Sequence, residues 1–408
     1  MKKSLITVML IFLVAAATSA QSKAGDESFG IKIKGFVKTD LIYDSRQTVS
    51  IREGHFFLYP AAEMLDVDGK DINDKANFNM LSIQTRVTGN ITGPNFLGAK
   101  TSGVLEGAFF GNSNTDIGEF RLRHAFLKLD WSNSSLMIGQ YWNPMFITEV
   151  FPGVVSFNTG VPFQPFSRNP QIRFIQKFDN MQLSLTAATQ RDFTSTGPAG
   201  GSSVYLRNNV IPILDLNLKY VSKTLVAGAS VNLKSLTPQI VTANGYKTEE
   251  KISSMAFMGF AKIVSNDFTF KAEGIYGENL TDLVMLGGYA VKSTDAVTGI
   301  EEYTNLKTLS VWTDLSYGKA LQVGLFVGYT KNLGSDDIIT GTYYSRGNNI
   351  ASVMRISPRI QYSMGKTRFA AEIDYTTADY GTPNNMGEVE NTSAVSNLRL
   401  LLAGYLFF

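Results

Sequence analysis

Six basic side chains recur at even spacings, which would place the members of each pair on one face of a β-strand. The pairs are Arg121 with Arg123, Arg173 with Lys177, and Arg355 with Arg359. A guanidinium is planar and always charged, so it can hold a carboxylate or phosphate through two parallel hydrogen bonds. An alternative stays open, in which these cations pair with Asp40, Glu106, Glu372 or Asp374 as balanced charges of a wall. The pattern indicates either anion recognition or simple ion pairing.

Alternation of apolar and polar residues identifies the elements that would position these side chains. One face of the last segment carries an apolar series, namely Leu398, Leu400, Leu402, Gly404, Leu406 and Phe408. The other face of that segment carries Asn397, Arg399, Ala403 and Tyr405. A charged side chain on the lipid face at mid-membrane costs several kcal/mol, so we expect the charged faces to line an aqueous lumen.

Residues 1–20 have the pattern of a secretory signal peptide. Lys2 and Lys3 precede an apolar run of about 13 residues, shorter than the roughly 20 that a spanning helix needs. Thr18-Ser19-Ala20 then offers a small-residue cleavage site, so a retained anchor is the weaker alternative. Export combined with a C-terminal Phe is typical of outer-membrane β-barrels. We therefore expect residues 21–408 to form one barrel in the outer membrane of a Gram-negative bacterium, in contact with its lipids.

Sixteen strands are predicted, and the connections between them alternate in length. The predicted strands cover residues 31–44, 78–92, 101–112, 119–131, 136–143, 170–178, 181–192, 208–221, 224–235, 251–264, 267–278, 305–317, 321–334, 352–363, 367–380 and 394–408. Short turns belong on the periplasmic side and long loops outside, which puts both termini in the periplasm. The fold class expected is all-β, a 16-stranded antiparallel transmembrane β-barrel. A barrel of this width encloses an aqueous channel unless a loop folds into it.

The segment between the fifth and sixth predicted strands is unusually rich in Pro and Phe. Five prolines fall within residues 139–175, and Pro cannot donate to a strand ladder. The phenylalanines of this segment are Phe146, Phe151, Phe157, Phe163 and Phe166. A loop with so many aromatic rings is too apolar to be freely solvated. We expect residues 144–169 to fold inward as a constriction loop; packing on the rim or against a neighbouring subunit is the alternative.

Three motifs resemble those of a known family. The series Arg121-Leu122-Arg123-His124-Ala125-Phe126, the pair Gly139-Gln140, and Arg168-Asn169-Pro170-Gln171-Ile172-Arg173-Phe174 are similar to motifs of the DcaP-like porins. The motifs lie within residues 119–175, while the barrel plan matches over the whole mature chain. The resemblance implies a trimeric outer-membrane channel for small anionic solutes such as dicarboxylates. Some members carry an N-terminal helical segment, whereas only about ten polar residues precede the first strand here.

Charge and composition exclude several other functions. The chain has 37 Lys and Arg against 35 Asp and Glu, and loss of Lys2 and Lys3 with the leader leaves it neutral, so no nucleic-acid partner is expected. It has no Cys and only His55 and His124, which argues against a transition-metal site, a cofactor or an enzyme. Counted from Arg121 and Arg123, His124 falls on the outward face.

Two further readings of the sequence stay open. The acidic run 66–74 resembles a calcium-binding loop. However, Asn77 occupies the position at which an EF-hand has Glu, so we expect a solvated surface loop, with a loosely bound divalent ion as the alternative. A barrel-anchored surface adhesin or assembly subunit is the alternative function, although the longest loop is only about 33 residues. The favoured function is passive diffusion of small hydrophilic solutes with a preference for anions.

Overall fold

A closed antiparallel barrel of 16 strands forms in the computed structural model, which describes residues 29–111 and 113–408. The predicted signal peptide, residues 1–20, lies outside the described residues. The strands in chain order are β1 (Gly30–Asp44), β2 (Thr48–Ile51), β3 (Phe56–Pro60), β4 (Asn77–Leu81), β5 (Arg86–Phe96), β6 (Ala99–Phe109), β7 (Phe120–Asp130), β8 (Ser134–Trp142), β9 (Arg168–Phe178), β10 (Met181–Ala188), β11 (Thr196–Gly197), β12 (Gly200–Gly201), β13 (Ile213–Val221), β14 (Leu225–Leu236), β15 (Ile252–Ser265), β16 (Phe268–Glu278), β17 (Gly287–Thr294), β18 (Glu301–Gly318), β19 (Leu321–Asn332), β20 (Tyr343–Arg346), β21 (Ile350–Met364), β22 (Thr367–Pro383) and β23 (Val389–Phe407).

The wall contains fewer strands than the hydrogen-bonded sheet has segments. The sheet has 19 segments because β4 and β5 form one interrupted wall strand, and β17 and β20 extend the wall on the loop side. Pairing of β1 with β23 closes the barrel, from Phe36 opposite Phe407 to Asp44 opposite Arg399. Closure leaves no edge, so every strand amide finds a partner without water. The predicted fold class is therefore confirmed.

Most predicted strand bounds agree with the structure to within about three residues. The eighth predicted strand, 208–221, begins later because a short helix, α1 (Val204–Asn209), occupies its start. The last two strands reach further outward than predicted, since β22 runs to Pro383 and β23 begins at Val389. Among the described residues, no helix is long and apolar enough to cross a membrane.

Inward and outward faces separate as the alternation predicts. On β1, Lys38, Asp40 and Asp44 are buried inside, whereas Val37 and Tyr43 are 47% and 38% exposed outside. Exposed rings mark both ends of the outer surface: Phe178, Tyr317, Tyr362, Phe369 and Phe408 near the short turns, and Tyr43, Phe78, Phe120, Tyr276, Tyr329 and Tyr375 near the long loops. The exterior is an apolar belt between two aromatic girdles, the surface that an outer membrane requires.

A β-bulge in β7 overturns the prediction for His124. Glu106 pairs with His124 and Gly107 with Leu122, so Arg123 is the extra residue of the bulge. The extra residue turns His124 to the same side as Arg123, and its ring is only 5% exposed inside the barrel. The outward placement predicted for His124 is wrong because strict alternation holds only where the register is unbroken.

The acidic run 66–74 forms a compact turn in the first long loop. The Asp66 carboxylate accepts backbone N–H bonds from Asp68 and Lys70, at 2.8 and 2.9 Å. Asp71 accepts from Met64 and Asn73 and pairs with Arg46 at 2.9 Å. These carboxylates stabilise the turn itself, and no group of metal-ligating side chains occurs in the described part of the chain.

Barrel closure yields the first prediction, which concerns Gly35 on β1. Gly35 exchanges two backbone hydrogen bonds of 3.1 Å with Phe408, and a Cβ there would lie 2.1 Å from the Arg86 carbonyl oxygen. We expect Gly35→Ala to cost about 1–3 kcal/mol by overpacking and to lower the temperature at which the folded gel band is lost.

Gly259→Ala is the matched control, because a Cβ at this outward position of β15 meets nothing within 4 Å. Equal transition temperatures for Gly35→Ala and Gly259→Ala would show that this closure contact carries no stability.

Candidate functional site

Residues 143–167, here called loop 3, leave the end of β8 and cross the lumen to the opposite wall. The backbone N–H groups of Val155 and Ser156 donate to the Glu372 carboxylate of β22, at 2.6 and 2.8 Å. Lys38 of β1 donates its ammonium to the Val155 carbonyl at 2.9 Å. Two strands at the barrel closure thus hold the tip of the loop, and the expected inward fold is confirmed.

Three other wall side chains hold loop 3 by its carbonyl oxygens. Arg355 Nη1 donates to Val161 O at 2.8 Å, Ser310 Oγ to Phe163 O at 2.8 Å, and Lys271 Nζ to Phe151 O at 2.8 Å. These donors come from β21, β18 and β16. Prolines leave the loop without a regular hydrogen-bond ladder, so the wall supplies donors to its carbonyls.

A second loop also enters the lumen, and the sequence reasoning missed it. The hairpin of β2 and β3, here called loop 1, lies inside the barrel with all of Phe56–Pro60 buried. Arg355 Nη2 donates to Leu58 O at 2.6 Å, and Tyr380 donates to Pro60 O at 2.7 Å. The apolar run Phe56-Phe57-Leu58-Tyr59 was the available signal, since such a run is as unsuited to a solvated loop as loop 3 is.

The rings of loops 1 and 3 pack together into an apolar core within the barrel. Phe56 contacts Phe157 and Phe166, with ring centroids 5.6 and 5.1 Å apart. Of the five phenylalanines predicted for the constriction, four are buried and Phe151 is partly buried against the same core. This core packs against the wall from β14 to β22, which contributes Val226, Met258, Ile275, Trp312 and Phe326 to it.

Lumen-facing side chains on the other side of the barrel keep contact with solvent. Tyr141, Arg173, Ile175 and Lys219, on β8, β9 and β13, are partly exposed. By contrast, Trp312 on β18 is only 2% exposed beneath loop 3. The aqueous passage therefore follows the β8–β13 wall.

Arg121 and Arg123 both face the lumen on β7, and both have carboxylate partners. Arg123 Nε donates to Glu106 at 2.8 Å, and Arg121 pairs with Asp192. The Arg121 side chain keeps 16% of its surface exposed, whereas that of Arg123 keeps 2%. Of the four carboxylates suggested by sequence as partners, Glu106 is the one found beside them.

Arg173 also faces the lumen; its hydrogen bonds go to neutral acceptors, while the Asp215 carboxylate of β13 lies close enough to act on it electrostatically. Its Nη2 donates to the Trp142 carbonyl at 2.9 Å and its Nε to Gln171 Oε1 at 3.1 Å. The guanidinium lies 5.7 Å from the ring centre of Tyr141, along the exposed wall. Lys177 follows on the same strand face and is exposed at the periplasmic end. These two cations border the aqueous passage.

Arg355 and Arg359 face the lumen on β21 but lie under loop 3. Arg355 donates hydrogen bonds to carbonyl oxygens of both loops, as described above, and is 1% exposed. Arg359 forms a bidentate ion pair with Asp314, with hydrogen bonds of 2.6 and 3.0 Å, and its side chain is also 1% exposed. Their contacts are those of loop anchoring and ion pairing, so they stand apart from Arg121 and Arg173.

A basic vestibule lies between loop 3 and the periplasmic turns, and the sequence reasoning named only Lys177 in it. The lumen-facing basic residues of this vestibule are Lys128, Lys177, Lys219, Lys262, Lys271 and Arg368. The acidic residues at the same level include Asp130, paired with Lys128 at 2.8 Å, Glu149, paired with Lys219 at 2.5 Å, and Asp314, which lies opposite Lys271 and is paired with Arg359 at 2.6 Å. These basic residues lie an even number of positions from polar, lumen-facing residues of the same strand, and this spacing is the sequence signal that could have identified them.

The loop tether at Glu372 yields a second prediction. Replacing this carboxylate by Ala removes both acceptors of the loop-3 tip, so Glu372→Ala should raise single-channel conductance and open-channel noise. Asp374→Ala is the control, since Asp374 faces the lumen two residues away and binds Ser357 of the wall rather than the loop. Equal conductance of the two folded variants would show that this tether does not set the aperture.

No protein-family model matches the sequence, and no curated protein is significantly similar to it. Solved structures share its architecture. The outer membrane channel DcaP of Acinetobacter baumannii superposes with a TM-score of 0.70 at 17% identity, over 95% of this chain and 100% of that chain. An anion-selective porin from Comamonas acidovorans gives 0.57 at 11% identity, over 93% and 100%.

A trimer form of OmpT, an outer membrane protein of Vibrio cholerae, gives a TM-score of 0.56 at 10% identity, over 94% of this chain and 100% of that chain. These likenesses are likenesses of fold. The resemblance carried by the motifs within residues 119–175 agrees with the similarity to DcaP. The chain has the outer-membrane porin fold, and DcaP is a structure to which it is strongly similar.

Proposed function

We propose that the protein is a non-enzymatic porin through which small hydrophilic solutes diffuse, with a preference for small anions such as dicarboxylates. The observation that carries the proposal is the excess of cations along the aqueous side of the lumen. Arg173 and the lysines of the basic vestibule border this passage, while most lumen carboxylates are already paired with wall cations.

Net charge alone would not give such a preference, because the mature chain is neutral. The preference depends instead on where the charged side chains lie in the lumen. Within a narrow passage the screening by salt is weaker than in open solution, so a few uncompensated cations outweigh paired charges elsewhere. The fold accommodates such selectivity, since one solved structure of this fold is described as an anion-selective porin.

The third prediction tests this preference by its electrical signature. Replacing Arg121, Arg123 and Arg173 together by Gln removes three lumen cations near the constriction. The reversal potential in a salt gradient should shift toward cations, and uptake of dicarboxylates should weaken, because Gln keeps a polar side chain but carries no charge.

The control replaces Lys223, Lys247 and Lys319 by Gln, which removes the same charge from turns and an outer loop rather than from the lumen. Its reversal potential should stay at the wild-type value. A triple-Arg variant that also keeps the wild-type reversal potential would contradict anion selectivity by these arginines.

We further propose that the channel is a homotrimer in the outer membrane. The support is a structure of the same fold described as a trimer form, together with an outer wall that is apolar on every side. Contact between the apolar outer walls of neighbouring barrels would hold the subunits together.

The fourth prediction is that the unboiled protein in detergent has three times the mass of one processed chain. The full chain of 408 residues has a mass of 44.8 kDa, from which the mass of the leader is subtracted. The measurement is light scattering with a correction for bound detergent. A monomeric mass would contradict the trimer.

A further inference from the structure

A cavity of about 290 Å³ opens on the outer face of the wall, where β13, β14 and β15 reach the long loops. Its apolar lining is one row of side chains that lie opposite one another in the strand pairing, namely Leu214, Leu233 and Met255. All three point outward and are exposed on the barrel exterior. The cavity is therefore reached from the bilayer and not from the lumen.

A polar row follows the apolar row on the side of the long loops. Ser235 and Ser253 lie opposite each other there, and Ser253 Oγ donates to Ser235 Oγ at 3.2 Å. Glu278 of β16 completes the lining, two residues beyond Tyr276 of the aromatic girdle. The lining thus changes from hydrocarbon to hydroxyl and carboxylate within one cavity, where acyl chains meet headgroups.

The cavity lies where the pairing of β15 with β16 stops short of the loops. The ladder of this pair ends at Gly277. Beyond it, the Met255 N–H donates to Glu278 Oε2 at 3.1 Å, and Asn305 Nδ2 of β18 donates to the Ser253 carbonyl at 2.7 Å. Side chains thus satisfy the backbone of β15 in place of a neighbouring strand, which leaves the space beside it open.

Glu278 retains one carboxylate oxygen for a ligand. Its Oε2 accepts from Met255 and from Asn305, at 3.1 and 3.3 Å, whereas Oε1 has no hydrogen-bond partner among the described residues. The opposite residue on β18, Lys307, donates to Asp336 instead. A carboxylate beside hydrocarbon is stabilised by hydrogen-bond donors and would repel a phosphate in the same place. The cavity therefore favours an acyl chain with an uncharged N–H or O–H donor at its head.

We propose that this cavity binds an acyl chain of an outer-leaflet glycolipid, with the amide or hydroxyl donor at the head of the chain facing Glu278 and the two serines. The long loops mark the external side of the barrel, and the external leaflet of a Gram-negative outer membrane is built of glycolipid with amide-linked, hydroxylated chains. The ester-linked chains of phospholipids bring only acceptors to that position. The cavity volume is close to the roughly 300 Å³ at which ligand pockets begin, so it suits a segment of one chain rather than a whole lipid.

Lipid retention by the wild-type protein is the first test. Protein purified in detergent is incubated with lipid A or with phosphatidylethanolamine of similar chain length, and bound lipids are counted by native mass spectrometry. Lipid A should be retained about tenfold better, the difference expected from one or two hydrogen bonds. Equal retention of the two lipids would overturn the site.

Ser253→Phe is the second test, because a ring at position 253 would fill the cavity from its outer rim. Retention of lipid A should fall to the level of phosphatidylethanolamine. Ser396→Phe is the matched control: the Ser396 Oγ lies 3.2 Å from Tyr375 Oη of the same girdle, but on β23, away from the cavity. If both variants retain lipid A equally well, the site is wrong.

Glu278→Gln tests the carboxylate separately from the shape of the cavity. Gln keeps an oxygen for the Met255 N–H but carries no charge, so retention of lipid A should fall severalfold. Single-channel conductance should stay at the wild-type value in each variant, which shows that the barrel has folded. Wild-type retention by a conducting Glu278→Gln channel would contradict the assignment of the donor to this carboxylate.

A neighbouring barrel is the competing occupant of this surface. In that case Ser253→Phe would reduce the mass of the detergent complex in light scattering and leave lipid retention per chain unchanged. This result would overturn the lipid site. None of these measurements depends on ion selectivity, so the site and the proposed anion preference stand or fall separately.

Discussion

The requirement that every backbone amide be hydrogen-bonded without water governs this molecule. In a bilayer it permits only a closed sheet, and closure by β1 and β23 fixes two environments, one apolar and one enclosed. Each strand then sorts its side chains by parity. Asp44 and Arg399 face each other inside the closing pair, joined by hydrogen bonds of 2.8 and 2.7 Å, while Tyr43 and Leu400 face lipid. Charged side chains concentrate in the lumen because a charge on the lipid-facing side of a strand would cost several kcal/mol.

A barrel of 16 strands has more interior than its own side chains can fill, and loops 1 and 3 occupy the excess. Their aromatic rings form a core of the kind usually found between layers of a soluble domain. Wall cations and carboxylates hold the loop backbone around that core, as Glu372 and Arg355 show. The result is asymmetric: one side of the lumen is packed, and the other stays wet and basic.

Strand positions and faces could be predicted from the sequence because a period of two is a local property. Arg121, Arg173 and Arg355 were assigned to the lumen for that reason. The bulge at Arg123 could not be predicted, since one extra residue leaves no compositional mark and yet turns His124 inward. Ion-pair partners such as Asp192 were missed because they come from distant loops, whose approach depends on how the whole barrel closes.

Arg355 joins the two inner loops through a single planar group. One of its terminal nitrogens binds Val161 of loop 3 and the other binds Leu58 of loop 1. A displacement of one loop would therefore strain or break the hydrogen bond that this planar group makes with the other. Loop 1 continues into the acidic turn at 66–74 on the outer surface. The hairpin that leads to the outer turn and the loop that narrows the lumen therefore share one anchoring side chain in the barrel wall.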